Sequence, residues 1–189
     1  MKLGALLTSL LTFGRKGISR ESIVLSMSSL PEESVWDYPR PAICQPFDKT
    51  LSIEMKNGQM LVEGATASYR TLETSHPPTY YIKESDINMK YLQRRDDRTT
   101  LCEWKGRASY YDLLDDDGNV IAPNVAWTYA TPTEKFSPLV KHLSFYAQHF
   151  KQCTVDGEVV LPQDGDFYGG WITKNLKGPF KGAPGTMGW

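Results

Sequence analysis

Short runs of alternating apolar and polar residues, separated by turn-forming pairs, constrain this chain to a mainly β fold. Leu51, Ile53 and Met55 alternate with polar residues, and Asn57-Gly58 separates them from a second apolar run at residues 60–62. An Asn-Gly pair between two such runs predicts a hairpin, because both turn residues accept positive φ. Asp156-Gly157 divides residues 154–161 in the same way and predicts a second hairpin.

Further strands and one main helix complete the predicted fold. The strands are expected at residues 80–82, 99–105, 108–114 and 125–130, with an acidic turn at 115–119. Ser85 or Asp86 is expected to cap a short helix that ends near Leu92. Ser137 and Pro138 have the residue types of an N-cap and a first helical position. The apolar stripe of that helix would comprise Phe136, Leu139, Val140 and Leu143. These elements predict an α+β fold, a compact and barrel-like antiparallel domain with one main helix.

Residues 1–26 differ in composition from the rest of the chain. They contain four basic residues, a single acid, Glu21, and leucines at helical spacing. This composition is typical of an organelle presequence; translation from Met27 and a secretory signal are the alternatives. We therefore expect a leader at 1–26 and a single domain at 27–189. The protein would be cytoplasmic, or located in a mitochondrion or plastid if the leader directs import.

Charge and cysteine content exclude several classes of function. The net charge is −1, and no apolar run approaches the ~18 residues of a membrane span, so we expect neither nucleic acid nor membrane as a partner. The three cysteines are widely spaced without a C-x-x-C pair, which predicts reduced thiols and no metal site. Glycine-rich phosphate loops are also absent, and the sequence indicates no particular cofactor.

Residues 70–81 form the first candidate functional cluster. Arg70, Glu73 and His76 lie within seven residues, and Pro77-Pro78 stiffens the backbone that follows. A rigid loop with these groups suits recognition of an anionic or hydroxylated small molecule. The alternative is a hydrogen-bonded turn in which Arg70 pairs with Glu73.

Residues 102–106 form the second cluster. On a strand, Cys102 and Trp104 would face one side and Glu103 and Lys105 the other. A partly buried Glu beside a Lys can act as an acid–base pair. The alternatives are a surface ion pair and, for Cys102, a place in the core.

Together these clusters predict one concave site for a small-molecule ligand, with polar aromatic walls. The predicted catalytic residues are Glu73, His76, Glu103 and Lys105. The predicted ligand-binding residues are Arg70, Tyr80, Trp104 and Trp127. His142 and His149, seven residues apart on the predicted helix, are expected at the surface. Whether the domain is an enzyme stays open at this stage.

Several segments of the chain together resemble the family called domain of unknown function 427. They are residues 33–41, 70–81, 102–106, 126–129, 155–158, 166–171 and 178–186. The resemblance implies a compact β domain described as a β-tent, and some family labels mention nucleotidyl transfer. This sequence has no Gly-Gly or Gly-Ser followed by the Asp-x-Asp pair that two-metal transfer needs. Three functions therefore remain: a small-molecule binder or enzyme, a nucleotidyltransferase, and a non-catalytic interaction module.

Overall fold

The computed structural model describes residues 30–189, so the predicted leader lies outside the described residues. The strands are β1 (Glu33–Ser34), β2 (Ile43–Phe47), β3 (Leu51–Glu54), β4 (Met60–Ala65), β5 (Ser68–Leu72), β6 (Thr79–Lys83), β7 (Leu92–Cys102), β8 (Gly106–Leu114), β9 (Val120–Thr128), β10 (His142–Phe145), β11 (Gln152–Val155), β12 (Glu158–Val159), β13 (Leu161–Pro162), β14 (Trp171–Ile172) and β15 (Leu176–Lys177). The helical segments are the 3-10 turns Val35–Asp37, Glu84–Asp86, Met89–Tyr91, Glu134–Leu139 and Ala147–His149.

Two antiparallel sheets form the body of the domain. The larger has seven strands in the order β2-β5-β6-β10-β9-β8-β7, and the smaller has four in the order β12-β11-β3-β4. Two short two-stranded pairs, β1-β15 and β13-β14, accompany these sheets. The predicted mainly β fold is thus confirmed, and the large sheet is not closed into a barrel.

Both predicted hairpins are present. Strands β3 and β4 pair with Ile53 opposite Val62, and β11 pairs with β12 across Asp156-Gly157. Asp156 and Gly157 both have positive φ, of 50° and 80°, as the tight two-residue turn requires. In the first hairpin only Gly58 has positive φ, so the expectation for Asn57 was wrong.

The main helical segment is shorter than predicted and begins earlier. It is the 3-10 helix Glu134–Leu139, with Thr133 at its N-cap and Pro138 inside it. The chain then enters β10, which contains Leu143 of the predicted stripe and pairs with β6 and β9. The neighbouring strands β6 and β9 form backbone hydrogen bonds with this apolar run, and this tertiary pairing overrides the local helix signal. His142 is therefore a buried strand residue, and the helix predicted to end at Leu92 is replaced by two single 3-10 turns.

The large sheet buries both of its faces. One face packs against the four-stranded sheet and forms the main core, which includes Ile53, Tyr80 and Phe145. The opposite face carries a second cluster, rich in aromatic rings, to which Tyr81 and Trp127 belong. Side chains alternate along a strand, so adjacent residues such as Tyr80 and Tyr81 enter different clusters.

Residues 163–189, here called the C-terminal segment, run across the edge of this second face. Trp171 is fully buried, and its indole N–H donates to the carbonyl oxygen of Phe145 at 2.9 Å. Phe167 and Trp189, by contrast, keep 63% and 38% of their surface exposed. Within residues 30–189 no helix is both long and apolar enough to cross a membrane.

Candidate functional site

A cavity of ≈ 340 Å³ opens on the second face of the large sheet, and we call it the aromatic cavity. Thr71, Thr79 and Tyr81 of β5 and β6 contribute to its lining, beside Trp127 of β9. Residues 102–105, between β7 and β8, form another side, and the C-terminal segment closes the space with Gln163, Phe167, Tyr168, Gly169 and Lys181.

Six of the eight predicted site residues line this cavity. They are Glu73, His76, Glu103, Trp104, Lys105 and Trp127. Arg70 and Tyr80 do not line it, so the ligand contact predicted for them is not supported by their position.

Strand alternation explains why Arg70 and Tyr80 lie elsewhere. They are directly opposite each other on β5 and β6, and both face the main-core side. The flanking pairs Thr71–Thr79 and Tyr69–Tyr81 have the other orientation.

Arg70 is instead part of a polar network beside the main core. Its Nη1 donates to both carboxylate oxygens of Glu33, at 2.9 and 3.1 Å, and its guanidinium reaches the amide oxygen of Gln45 at 2.7 Å. Arg70 thus pairs with Glu33 and not with Glu73, which was the alternative interpretation. Tyr80 packs its ring 4.9 Å from that of Phe47 in the core.

The segment 103–105 forms a turn, which corrects the predicted strand. Strand β7 ends at Cys102 and β8 begins at Gly106, so alternation does not separate Trp104 from Lys105, and both line the cavity. Thr133 holds the turn in place, because its hydroxyl donates to the Trp104 carbonyl oxygen at 2.6 Å. Glu103 lies at the exposed rim, 3.6 Å from the guanidinium of Arg40.

His76 is held in one tautomer. Its Nδ1 lies 3.0 Å from the carbonyl oxygen of Thr74, which can only accept, so Nδ1 carries the hydrogen. Burial lowers the pKa of His76 below its ordinary value; the Thr74 carbonyl and Glu73 oppose this shift, while Lys181 and Lys105 add to it. The imidazole is therefore neutral at pH 7, and its Nε2 is left with a free lone pair.

Glu73 connects two walls of the site. One of its carboxylate oxygens accepts a hydrogen bond from the Trp104 indole N–H at 3.1 Å. No residue in the range 30–189 donates to its other oxygen. Glu73 thus positions Trp104 and keeps one acceptor available.

Two lysines bring positive charge to the cavity, and neither forms an ion pair with an Asp or Glu side chain within residues 30–189. The Lys105 ammonium lies 5.6 Å from the centroid of the Phe136 ring. Lys181 is only 6% exposed; its Nζ donates to the backbone oxygen of Trp189, the last residue of the sequence, at 2.8 Å and lies 5.5 Å from the Tyr168 ring. A buried ammonium with so little compensation is unfavourable for folding.

Tyrosines supply most of the remaining polar groups. The Tyr81 hydroxyl is buried and makes no hydrogen bond, although Trp127 and Thr71 lie near it. Burial raises the pKa of Tyr81, Tyr129 and Tyr146 well above the ordinary tyrosine value, so these hydroxyls remain protonated. These residues were not predicted, yet alternation along β6 and β9 places Tyr81, Trp127 and Tyr129 on one face and could have found them.

The C-terminal segment approaches the sheet closely at a glycine. A Cβ added at Gly169 would lie 2.2 Å from Cη2 of Trp127, so only glycine fits there. Glycines interleaved with aromatic residues are typical of an ordered segment in which rings pack where the backbone comes close, but this pattern does not indicate that the segment closes a cavity.

A smaller cavity of ≈ 250 Å³ adjoins the aromatic cavity and shares Tyr110 and Tyr146 with it. No group of three or more His, Cys, Asp or Glu side chains within residues 30–189 is arranged to hold a metal ion.

Comparison with known families identifies the chain. The family model described as domain of unknown function (DUF427), with the short name NTP_transf_9, matches residues 43–156, which is more than half of the chain. The chain therefore belongs to the DUF427 family. The matched region runs from β2 to β11, so the C-terminal segment lies outside it. A comparison with curated proteins finds no match.

Proposed function

We propose that this DUF427 protein binds a small organic molecule in the aromatic cavity and transfers a proton to or from it. One observation carries the proposal. A neutral His76, whose Nε2 accepts no hydrogen bond from residues 30–189, lines the same cavity as two lysines that pair with no Asp or Glu side chain in that range.

The uncompensated charges support binding of an anionic or carbonyl group. Burying Lys181 and partly burying Lys105 has a desolvation cost that no Asp or Glu side chain within residues 30–189 offsets by pairing. A ligand oxygen with full or partial negative charge would supply the missing partner. At the rim, the charges of Arg40 and Glu103 neutralise each other, so this pair does not compensate the lysine charge inside the cavity.

The proposed chemistry uses His76 as the base. Its Nε2 takes a proton from a C–H or O–H group of the ligand, and the electron pair of the broken bond stays on the ligand as an enolate or alkoxide. An ammonium group of the cavity, from Lys105 or Lys181, stabilises that negative charge. Glu73 and the Thr74 carbonyl, which both raise the pKa of His76, stabilise the imidazolium until it returns the proton.

Glu103, which we predicted as an acid or base, has a different place in this scheme. Its side chain is 63% exposed and contacts Arg40 at 3.6 Å. We propose that the pair shapes the entrance to the cavity and takes no direct part in proton transfer.

A ligand screen with matched variants tests the proposal. Thermal shift would be measured for carboxylates, phosphate esters and nucleoside triphosphates, with and without Mg²⁺, on the wild type, Lys105→Met and Lys83→Met. Lys83 is exposed on β6 and serves as the charge control. A ligand that stabilises the wild type and Lys83→Met but not Lys105→Met supports the cavity.

The same screen separates the other two functions. Stabilisation by nucleoside triphosphates only with Mg²⁺ would favour nucleotidyl transfer, in line with the short name of the family. No stabilisation by any compound, together with a stoichiometric protein partner, would favour a non-catalytic interaction module. For a confirmed ligand, His76→Gln should retain binding and lose turnover, and full activity in that variant would refute the role of the base.

A further inference from the structure

The walls and charges of the aromatic cavity also indicate the class of its ligand. We infer that the ligand is a planar aromatic acid that carries a hydroxyl or amino hydrogen in addition to its anionic group. This inference rests on the proposed function and makes it specific.

Aromatic rings dominate the apolar part of the lining. Tyr81, Trp104, Trp127, Phe167 and Tyr168 all contribute, and the rings of Trp127 and Tyr146 already contact each other at 4.5 Å between centroids. Ring–ring contacts improve affinity by roughly two- to tenfold beyond the area that they bury. A saturated ring of similar size buries comparable area but lacks this gain, so the lining favours a planar ring.

The anionic group follows from where the cations lie. His76, Lys105 and Lys181 all line the aromatic cavity, so both ammonium groups share its space with the imidazole. Lys181 already donates one hydrogen bond, to the backbone oxygen of Trp189, whereas the Lys105 ammonium donates none to a residue in the range 30–189. A ligand carboxylate would therefore bind preferentially to Lys105.

The second polar group of the ligand follows from the unused acceptors. The Nε2 lone pair of His76 and the second oxygen of Glu73 receive no hydrogen bond from any residue in the range 30–189. A ligand with a carboxylate alone would desolvate these acceptors without pairing them, which is unfavourable. A hydroxyl or amino hydrogen on the ring would pair one of them, and a hydroxyl hydrogen would be the proton that His76 removes.

Size restricts the class further. A volume of ≈ 340 Å³ lies near the lower end of the roughly 300–1,000 Å³ observed for ligand pockets. One substituted ring, or two fused rings, fills such a space.

Four probes that differ in one property each test the inference. They are 4-hydroxybenzoate, 4-hydroxybenzamide without the charge, trans-4-hydroxycyclohexanecarboxylate without the planar ring, and benzoate without the hydroxyl. Dissociation constants would be measured by calorimetry at neutral pH. We expect 4-hydroxybenzoate to bind most tightly, the amide about tenfold more weakly, and the saturated acid and benzoate each several-fold more weakly.

Lysine variants connect the preference to the cavity. Lys105→Met should bind 4-hydroxybenzoate and its amide equally, whereas Lys83→Met should keep the wild-type preference. Circular dichroism spectra that match the wild type would show that both variants are folded.

The outcomes distinguish this inference from the function on which it rests. Equal binding of the saturated and aromatic acids, dependent on Lys105, would overturn the aromatic class and leave the proposed function intact. Equal binding of the amide and the acid to the wild type would overturn the anionic group. If none of the four probes binds while the broader screen finds another ligand that depends on Lys105, only this inference fails; if neither experiment finds binding, both fail.

Discussion

Replacing Glu33 with alanine tests whether Arg70 stabilises the fold or serves the site. Glu33 accepts two hydrogen bonds from Arg70 and a third, of 2.6 Å, from the hydroxyl of Tyr38. The side chains of Arg70 and Glu33 are only 14% and 19% exposed, so the variant would leave a largely buried guanidinium beside neutral polar groups such as Gln45 and the Tyr80 hydroxyl.

The expected loss of stability follows from this burial. Removing one partner of a fully buried ion pair costs roughly 3–5 kcal/mol, and exposed pairs contribute about 0–1 kcal/mol. The Arg70–Glu33 pair keeps some contact with solvent, and Gln45 remains, so we expect Glu33→Ala to lower the free energy of unfolding by about 2–3 kcal/mol. The double variant Glu33→Leu with Arg70→Met should lose less than the sum of its single changes, because it leaves no unpaired charge.

Urea denaturation provides the measurement, and a neighbouring pair provides the control. Glu32 and Lys177 are 2.7 Å apart but 66% and 63% exposed, so Glu32→Ala should change stability by less than about 0.5 kcal/mol. A comparably small change for Glu33→Ala would refute the reasoning from burial. If the wild type binds 4-hydroxybenzoate and a folded Arg70→Met variant does not, Arg70 belongs to the functional site.

Three further perturbations have defined outcomes. Burial lowers the pKa of His76, so the unfolded chain binds more protons just below about pH 6.5 and stability should fall as pH decreases through that range. His76→Gln should make this fall smaller, and an identical pH profile in urea denaturation would contradict it. Gly169→Ala should displace Trp127 and lower stability by about 1–3 kcal/mol, whereas Gly188→Ala, with no atom within 4 Å of the added Cβ, should match the wild type in melting temperature and tryptophan fluorescence. Trp171→Phe leaves a buried carbonyl oxygen without its indole donor, and calorimetry should show about 1–3 kcal/mol less stability.

Local signals in the sequence predicted the hairpins, because a turn pair such as Asp156-Gly157 acts within a few residues. The Ser137-Pro138 signal failed for the opposite reason. The apolar residues that follow it pair with β6 and β9, strands that are distant in sequence, and that pairing determines their conformation. No local pattern contains this information.

The candidate site was predictable to the extent that its residues are close in sequence. Glu73 and His76 lie on one loop, and Trp104 and Lys105 lie on one turn, so each cluster was found as a unit. The contribution of Lys181 was not found, because it depends on where the C-terminal segment crosses the sheet. Its backbone N–H donates to the carbonyl oxygen of Ser75 at 2.8 Å, a contact between residues more than one hundred positions apart.

The two faces of the large sheet separate charges that stabilise the fold from charges that are available to a ligand. On the main-core side, Arg70 is fully paired with Glu33 and Gln45, as expected of a group whose burial must be compensated within the protein. On the cavity side, Lys105 and the Nε2 of His76 have no such partners within the described residues. Arg70 and its neighbour Thr71 face opposite sides of the sheet. A charged residue one position further along β5 would therefore face the cavity instead of the main core. Incomplete pairing in a lined cavity, more than the presence of charge itself, is therefore the basis on which we propose functional residues in this fold.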